Sequence, residues 1–458
     1  MKYDLIVIGG GPAGYVGAIR AAQLGARVAC VELERAGGTC LNWGCIPTKS
    51  LLRNAELFST LQHDAESFGI KLEGLSYDWS AVIGRSRKVA DRLAGGIEFL
   101  FKKNKVDYIV GRASIPEPGK VRVVDAEGTE TEHEADNILV STGVQTRDFP
   151  HLPIDGTKII GSRQALVLEE QPKEIVIIGA GAIGVEFAYF FNAFGTKVTI
   201  VEMMPRLLPV EDEEISAELG KSFKKQGIRV LTGSKVSAAD TAGKRVRLTV
   251  EGDTNEEIEA DLCLLAVGVT PLLPDGVEFE LDRGYLVTDA RYQTSVPGVF
   301  AAGDIIGPPW LAHVASFEAM QCVEGLFLDG HTPKKVGTFP GCTYCNPQVA
   351  SVGLTEQAAK EQGLAYRVGK FPFQASGKAQ AAGETEGFVK LLFGEEHGEL
   401  IGAHIIGHGA TELIAELGLA IELEATYEEI NQTIHAHPTL SEAVMEASHA
   451  AFGHAIHC

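Results

Sequence analysis

The chain has 458 residues, more than one hydrophobic core can organise, so about two to four domains are expected. Hydrophobic residues make up 45% and charged residues 22%, the balance of a globular protein and not of a disordered one. The formal net charge of −21 argues against nucleic acid as a partner, because its phosphates carry the same sign.

The first residues lead straight into an apolar strand, with no basic region, apolar stretch and cleavage site, so no secretory signal is expected. No window reaches about 18 uninterrupted apolar residues, so no membrane span is expected. The eight cysteines are scattered along a large chain, which does not resemble a disulfide framework. A reducing cytoplasm is the expected compartment, where a surviving disulfide is more readily catalytic than structural.

Residues 4–32, "DLIVIGGGPAGYVGAIRAAQLGARVACVE", read as a strand, a glycine-rich turn, a helix and a second strand ending in Glu32. Gly9, Gly11 and Gly14 serve the tight turn, the close approach of backbone to a pyrophosphate, and helix–strand packing, in that order. The phosphates then meet a helix N-terminus, and the Glu32 carboxylate accepts from a ribose diol.

"GGTCLNWGCIPTK" follows at 37–49 and sets Cys40 five positions before Cys45. A structural zinc site wants four ligands, and the only other close pair, Cys342 and Cys345, lies far along the chain. As a staple, so short a loop contributes about 2 kcal/mol at most. Two inert core thiols leave the flanking glycine, proline and lysine unexplained. A redox couple beside a bound nucleotide accounts for more. Positions five apart in a continuous helix exceed the usual disulfide span of about 4.4–6.8 Å between Cα atoms, so the segment is expected to distort, with the help of Gly44. Pro47 places Cys45 near a helix N-terminus, which favours a thiolate. The insert between 37 and 110 is predicted helical from Pro47 to about Gln62 and from about Trp79 to Asn104.

A second copy begins at Glu174. "EIVIIGAGAIGVEFAYFFNAFGTKVTIVE" aligns without a gap over 29 positions, with Gly179, Gly181, Gly184 and Glu202 in the places of Gly9, Gly11, Gly14 and Glu32. The copies also end alike, in "ADNILVSTGV" (135–144) and "ADLCLLAVGV" (260–269), each a strand running into a glycine, Gly143 or Gly268, that closes on the nucleotide of its own copy. Glu202 favours NAD, because a carboxylate there repels a 2′-phosphate, although Arg206 follows close behind. "GVFAAGDI" (298–305) presents Asp304 just past a strand end, suited to a polyol such as the ribityl chain of FAD. From about 336 the chain runs through "FPGCTYCNPQVASVGLTE" and alternating strands such as "GFVKLLF" and "LIGAHIIG" to helices. "HAHPTLSE" (435–442) offers His437 as a base near neutral pH and Glu442 to orient it.

This ordered set of motifs, from Lys2 to the C-terminus, resembles the pyridine nucleotide–disulfide oxidoreductases. The resemblance implies an α/β fold with two Rossmann-like dinucleotide-binding domains and a C-terminal α+β dimerisation domain. The expected segments are 1–148 and 271–335 for FAD, 149–270 for NAD and 336–458 for the interface. It implies that Cys45 faces the flavin and Cys40 exchanges with the substrate sulfur. Lys49 is expected near the flavin edge, paired with Glu186, which read alone is a solvated helix position. Ala312, in "LAHVA" (311–315), is expected along the flavin, and Val314 stands where many relatives carry lysine. His437 is implied as the base in the partner subunit's site, which makes a homodimer obligatory, with His435 given no proton transfer.

The implied substrate is dihydrolipoamide on the lipoyl domain of an acyltransferase or of a glycine-cleavage carrier, with NAD⁺ as acceptor. The acidic helix around Glu412, Glu416, Glu422 and Glu424 reads as a solvated or interface face, with docking of a basic subunit-binding domain of an acyltransferase core as the alternative. A glutathione-type reductase would prefer NADPH, against Glu202. A mercuric reductase would carry a C-terminal cysteine pair, where this chain has Cys458 alone. A non-catalytic flavoprotein scaffold leaves the cysteine pair, Lys49, His437 and Glu442 unexplained. Cys342 and Cys345 read as inert thiols outside the family pattern, the His-rich tail as an interface end, and no metal site is expected.

Overall fold

The computed structural model describes residues 2–457, which divide into two compact units. The first gathers the chain up to Ser50, Asp78–Arg147 and Gly268–Gly337. The second gathers Leu51–Tyr77, Asp148–Val267 and the chain from Thr338 onward, so the second glycine turn and the C-terminal region share one unit. Cys458 lies outside the described residues.

The first unit is built on an eight-stranded sheet. Its centre is β1 (Lys2–Ile8), flanked in parallel by β2 (Val28–Glu32) and by Glu130–Val140. Helix α1 (Pro12–Gln23) crosses between β1 and β2 and buries Ala13, Gly14, Gly17, Ala18 and Ala21, a stripe of small residues that lets it lie close to the sheet. The inserted segment forms α2 (Gly38–Trp43) and, past a break at Gly44, the start of α3 (Cys45–His63), whose residues beyond Ser50 count with the second unit, and then a long helix, Trp79–Asn104. Asp78 caps that long helix by accepting from the Ala81 N–H at 3.1 Å. The late strand Val299–Ala301 returns to pair in parallel with Glu130–Val140 and sets Asp304 just past the sheet edge.

The two glycine endings meet in this same unit. Val144–Thr146 and Val269–Pro271 pair antiparallel, with Arg147 N–H donating to Gly268 and Leu272 N–H to Gly143. Gly268, read as part of the second copy, therefore falls in the first unit.

In the second unit a five-stranded parallel sheet runs Arg229–Leu231, Lys197–Val201, Glu174–Ile178, Leu262–Leu265, Ile159–Ile160. A five-stranded antiparallel sheet carries the C-terminal region, with Leu400–Gly407 at its centre between Val349–Gly353 and Gly387–Gly394. The alternating pattern expected for "GFVKLLF" and "LIGAHIIG" is not what forms: both strands are buried along nearly their whole length, because helices Ala410–Glu422 and Glu442–Ala451 pack on the face of Val389, Leu391, Ala403 and Ile405, while the helix Glu213–Lys225 lies against Leu400–Gly407 and Asp212 and Glu356 meet Lys390 on the other face. Lys390 in the first of them is fully buried and donates to Asp212 at 2.9 Å and to Glu356 at 2.7 Å, so its charge is matched inside the unit. Among the described residues no helix is long and apolar enough to cross a membrane.

Candidate active site

The two glycine turns are the same object built twice. Leu5 faces Val28 in one ladder, and the equivalent Ile175 faces Val198 in the other. Gly9 and Gly179 both sit at φ +100°, a left-handed conformation that a side chain would strain. A Cβ on Gly14 would stand 1.8 Å from the Gly9 carbonyl oxygen, and one on Gly184 would stand 2.0 Å from that of Gly179. Gly11 and Gly181 cap their helices without any side-chain hydrogen bond, leaving first-turn N–H groups turned outward at a positive dipole end. A Cβ on Gly181 would meet nothing within 4 Å, so there the backbone is open to a ligand. Each turn thus fits a dinucleotide pyrophosphate.

Glu32 and Glu202 do more than the sequence suggested. Glu32 accepts from Gly10 N–H at 2.6 Å and Glu34 N–H at 2.9 Å. Glu202 accepts from Ala180 N–H at 2.6 Å and Met204 N–H at 2.7 Å. Each carboxylate pins its own turn, and the lone pairs that remain can take a ribose diol. Arg206 pairs with Glu213 at 3.0 Å and donates to the Pro209 carbonyl, so its charge is engaged away from a 2′-phosphate.

Cys40 lies in α2 and Cys45 opens α3, with Gly44 (φ −148°, ψ −111°) breaking the helix between them. The break folds the second thiol back to the first. The Cys40 thiol is held well above its usual range by its hydrogen bond with Cys45, then by burial, while the Lys49 charge works the other way. Lys49 is one turn into α3, close enough to act on that thiol. Tyr15, missed in the sequence, faces both sulfurs from α1, and its phenol is raised by burial first and by the two thiols second.

Asp304 is also near Cys40, and burial alone pushes its carboxyl up to about 6. A half-buried carboxylate with burial as its only perturbation suits the hydroxyls of a polyol. The turn that presents it is fastened by Glu318, which accepts from Gly303 N–H at 2.8 Å and whose carboxyl burial raises to about 7. No sequence signal marked Glu318. Ala312 begins a 16-residue helix with no side-chain cap, and Val314 is buried, at a position that accepts an apolar side chain. Cysteines, Lys49, Asp304, Ala312, Gly143 and the first glycine turn all belong to the first unit, and together they fit FAD.

In the second unit Glu186 is buried at 3% exposure, not solvated, and accepts the Tyr344 N–H at 2.9 Å. Nearby in sequence, Cys345 is buried and donates to the Pro347 carbonyl, while Cys342 sits half-buried in the strand Gly341–Thr343. His437 is 79% exposed, and its Nδ1 meets Glu442 Oε1 at 2.9 Å, leaving Nε2 turned outward. The Glu442 carboxyl lies below its usual range, first because Thr439 N–H donates to it and second because of His437. His435 differs: its ring is nearly covered and bonded to Glu416 at 2.7 Å and to the Thr433 carbonyl at 3.0 Å. Among the described residues no group of three or more His, Cys, Asp and Glu could hold a metal ion.

Comparison with known proteins bears on these arrangements directly. Residues 3–319 match the pyridine nucleotide-disulphide oxidoreductase family and residues 339–448 match the dimerisation domain of that family. The chain is 45% identical to a dihydrolipoyl dehydrogenase of Rhizobium etli, over 99% of this chain and 98% of the relative. It is 40% identical to that of Bacillus subtilis, over 100% and 99%, and 41% identical to a leghemoglobin reductase of Glycine max, over 98% and 87%. Among solved structures it is similar to LpdA of Mycobacterium tuberculosis (TM-score 0.90, 27% identity, 97% of this chain and 98% of that one). It is also similar to the flavoprotein disulfide reductase RclA of Escherichia coli (TM-score 0.88, 27% identity, 98% and 99%). Two glycine turns, a thiol pair between two helices and a match along nearly the whole length lead to one conclusion: the chain belongs to the pyridine nucleotide-disulphide oxidoreductases.

Proposed function

We propose that this protein oxidises the dithiol of dihydrolipoamide and passes the electron pair through a cysteine disulfide and FAD to NAD⁺. The observation that carries the reading is the hydrogen-bonded Cys40–Cys45 pair, folded together at Gly44 beside Lys49 and Asp304 in the unit of the first glycine turn. The names of the curated relatives support dihydrolipoamide as the dithiol. FAD, held by the first turn, Glu32, Asp304, Gly143 and Ala312, supplies two-electron exchange between the cysteine pair and NAD⁺ held by the second turn and Glu202.

The residues of the chain supply the rest. His437 Nε2 takes the proton of the substrate thiol, and Glu442 fixes its tautomer and stabilises the imidazolium. The substrate thiolate attacks Cys40 Sγ, the Cys40–Cys45 bond breaks, and Cys45 leaves as a thiolate at a helix N-terminus. His437 then releases that proton to solvent and takes the proton of the second substrate thiol, which attacks the substrate sulfur bound to Cys40. The lipoyl disulfide closes and Cys40 is released.

The match of 339–448 to a dimerisation domain supports a homodimer, with His437 serving the partner's cysteines. Exposed Leu419, Leu423 and Ile434, on the helix and loop beside the dyad, support a second copy covering that face. The lipoyl domain of an acyltransferase or glycine-cleavage carrier is the proposed substrate. A basic subunit-binding domain of an acyltransferase core is a further proposed partner, and the proposed setting is a reducing cytoplasm. Adding dihydrolipoamide and NAD⁺, then NADP⁺, to the purified yellow protein tests the activity. Rapid NADH formation with NAD⁺ alone supports it, and a flavin that NADH reduces but dihydrolipoamide does not would move the substrate to another disulfide.

A further inference from the structure

The link between the two cysteines is only Leu41, Asn42, Trp43 and Gly44, and each end of its backbone must turn for the sulfurs to meet. A helix as short as α2 leaves its last carbonyls without intrahelical partners, so something outside must satisfy them. The long helix Trp79–Asn104 supplies it. Arg87 donates from Nη2 to the Asn42 carbonyl, and its guanidinium lies over the Trp43 ring at 4.7 Å. Trp43 Nε1 in turn donates to Glu34 at 3.0 Å. From inside, the buried Asn42 side chain donates to the Ala36 and Gly38 carbonyls at 3.1 and 3.0 Å. The same long helix also grips the segment before and after: Asp91 pairs with Arg35 at 2.6 Å, and Arg85 donates to Ser50 Oγ at 2.7 Å. All these groups belong to the first unit.

We propose that Arg87, acting with Trp43, positions the cysteine pair and sets its redox poise. It touches neither sulfur, so it is a positioning residue. By fastening the Asn42 carbonyl and the Trp43 ring, it holds the link folded whether or not the Cys40–Cys45 bond exists. That raises the effective concentration of each thiol at the other and favours disulfide plus reduced acceptor over dithiol plus oxidised acceptor. An arginine is needed because one flat group both donates to a carbonyl and stacks on an indole, which an ammonium does poorly. The inference rests on the reading of Cys40–Cys45 as the redox couple.

The test equilibrates FAD-loaded protein, without oxygen, against dihydrolipoamide–lipoamide mixtures of known ratio, and reads thiols per chain together with the flavin spectrum. For Arg87→Met, which keeps the stem but loses the donors, the equilibrium constant for disulfide formation is expected to fall about tenfold, a shift of about 30 mV. Arg87→Lys should recover part of it. Trp43→Phe, which keeps an aromatic surface but loses the tie to Glu34, should shift it in the same direction by less, and it serves if Arg87→Met does not fold. An unchanged equilibrium constant in a folded Arg87→Met or Trp43→Phe overturns the proposal, even if thermal stability drops, because a merely structural contact would move only the melting temperature. A wild-type protein whose cysteines do not exchange with dihydrolipoamide would instead overturn the function on which the proposal stands.

Discussion

The two glycine turns agree in register, in backbone angle and in the carboxylate that closes them, yet their surroundings differ. In the first, the chain after β2 doubles back over the turn: Gly37 N–H donates to the Gly10 carbonyl at 2.8 Å, and a Cβ on Gly11 would already meet the Gly38 Cα at 3.8 Å. In the second, Leu208 N–H donates to Ala180 at 2.9 Å, but Gly181 faces open space. One cradle is roofed by the segment that carries the cysteines, and the other is left accessible. A cofactor that stays and a cosubstrate that must leave after every turnover call for these two arrangements. The lesson is that the local repeat fixes what is bound, while the chain that follows fixes how long it stays.

Matched substitutions break the comparison most sharply. Gly14→Ala forces a Cβ into a backbone carbonyl, and we expect protein without flavin, read from absorbance per chain. Gly184→Ala makes the same clash in the open copy and should keep the flavin while NAD⁺ turnover falls by about ten- to a hundredfold, since overpacking costs about 1–3 kcal/mol. Loss of flavin in both would mean that the copies are not separate cradles. His437→Gln should lower dihydrolipoamide oxidation by about 10²–10⁴-fold while NADH still reduces an artificial dye, because only the thiol chemistry needs that base. Stopped-flow traces of flavin reduction by each donor would distinguish the two.

A finer contrast lies in the carboxylates. Glu202→Ser should weaken NAD⁺ about tenfold and narrow the gap to NADP⁺, read as KM values with kcat held within about threefold; a wider gap would remove Glu202 as the discriminating group. The smallest effect concerns Glu442. Its carboxyl is depressed in the folded protein, so its stabilising contribution is present above the unfolded value and is lost as pH falls through the folded one. Glu442→Gln should therefore melt below wild type at pH 7, with the difference shrinking toward pH 3.

What the sequence made legible was local. The repeat showed because glycine at a positive φ and at a helix–strand contact has no substitute. The break at Gly44 followed from disulfide reach, and the two inserted helices form close to the predicted 47–62 and 79–104. What stayed hidden depends on partners far away in the chain. Lys390 reads as the polar residue of a half-exposed strand, and only the distant Asp212 and Glu356 make its burial tolerable. Glu186 reads as solvated until the Tyr344 backbone arrives to cover it. Arg87 is one of several basic residues on a long helix, and nothing in its spacing points to an indole 44 positions upstream. Gly143 and Gly268 looked like separate endings because a two-strand ladder between them leaves no periodic mark.

The late return of Val299–Ala301 to the first sheet has a consequence for how the protein is made. The sheet of the second glycine turn lies wholly within Ile159–Leu265, whereas the first needs Val299–Ala301 and the Asp304 turn to be complete. On a ribosome, which delivers residues in order, the cradle begun first is finished last. The nascent chain must carry an open flavin site while the later-encoded one closes, and FAD can be captured only after the excursion has come home.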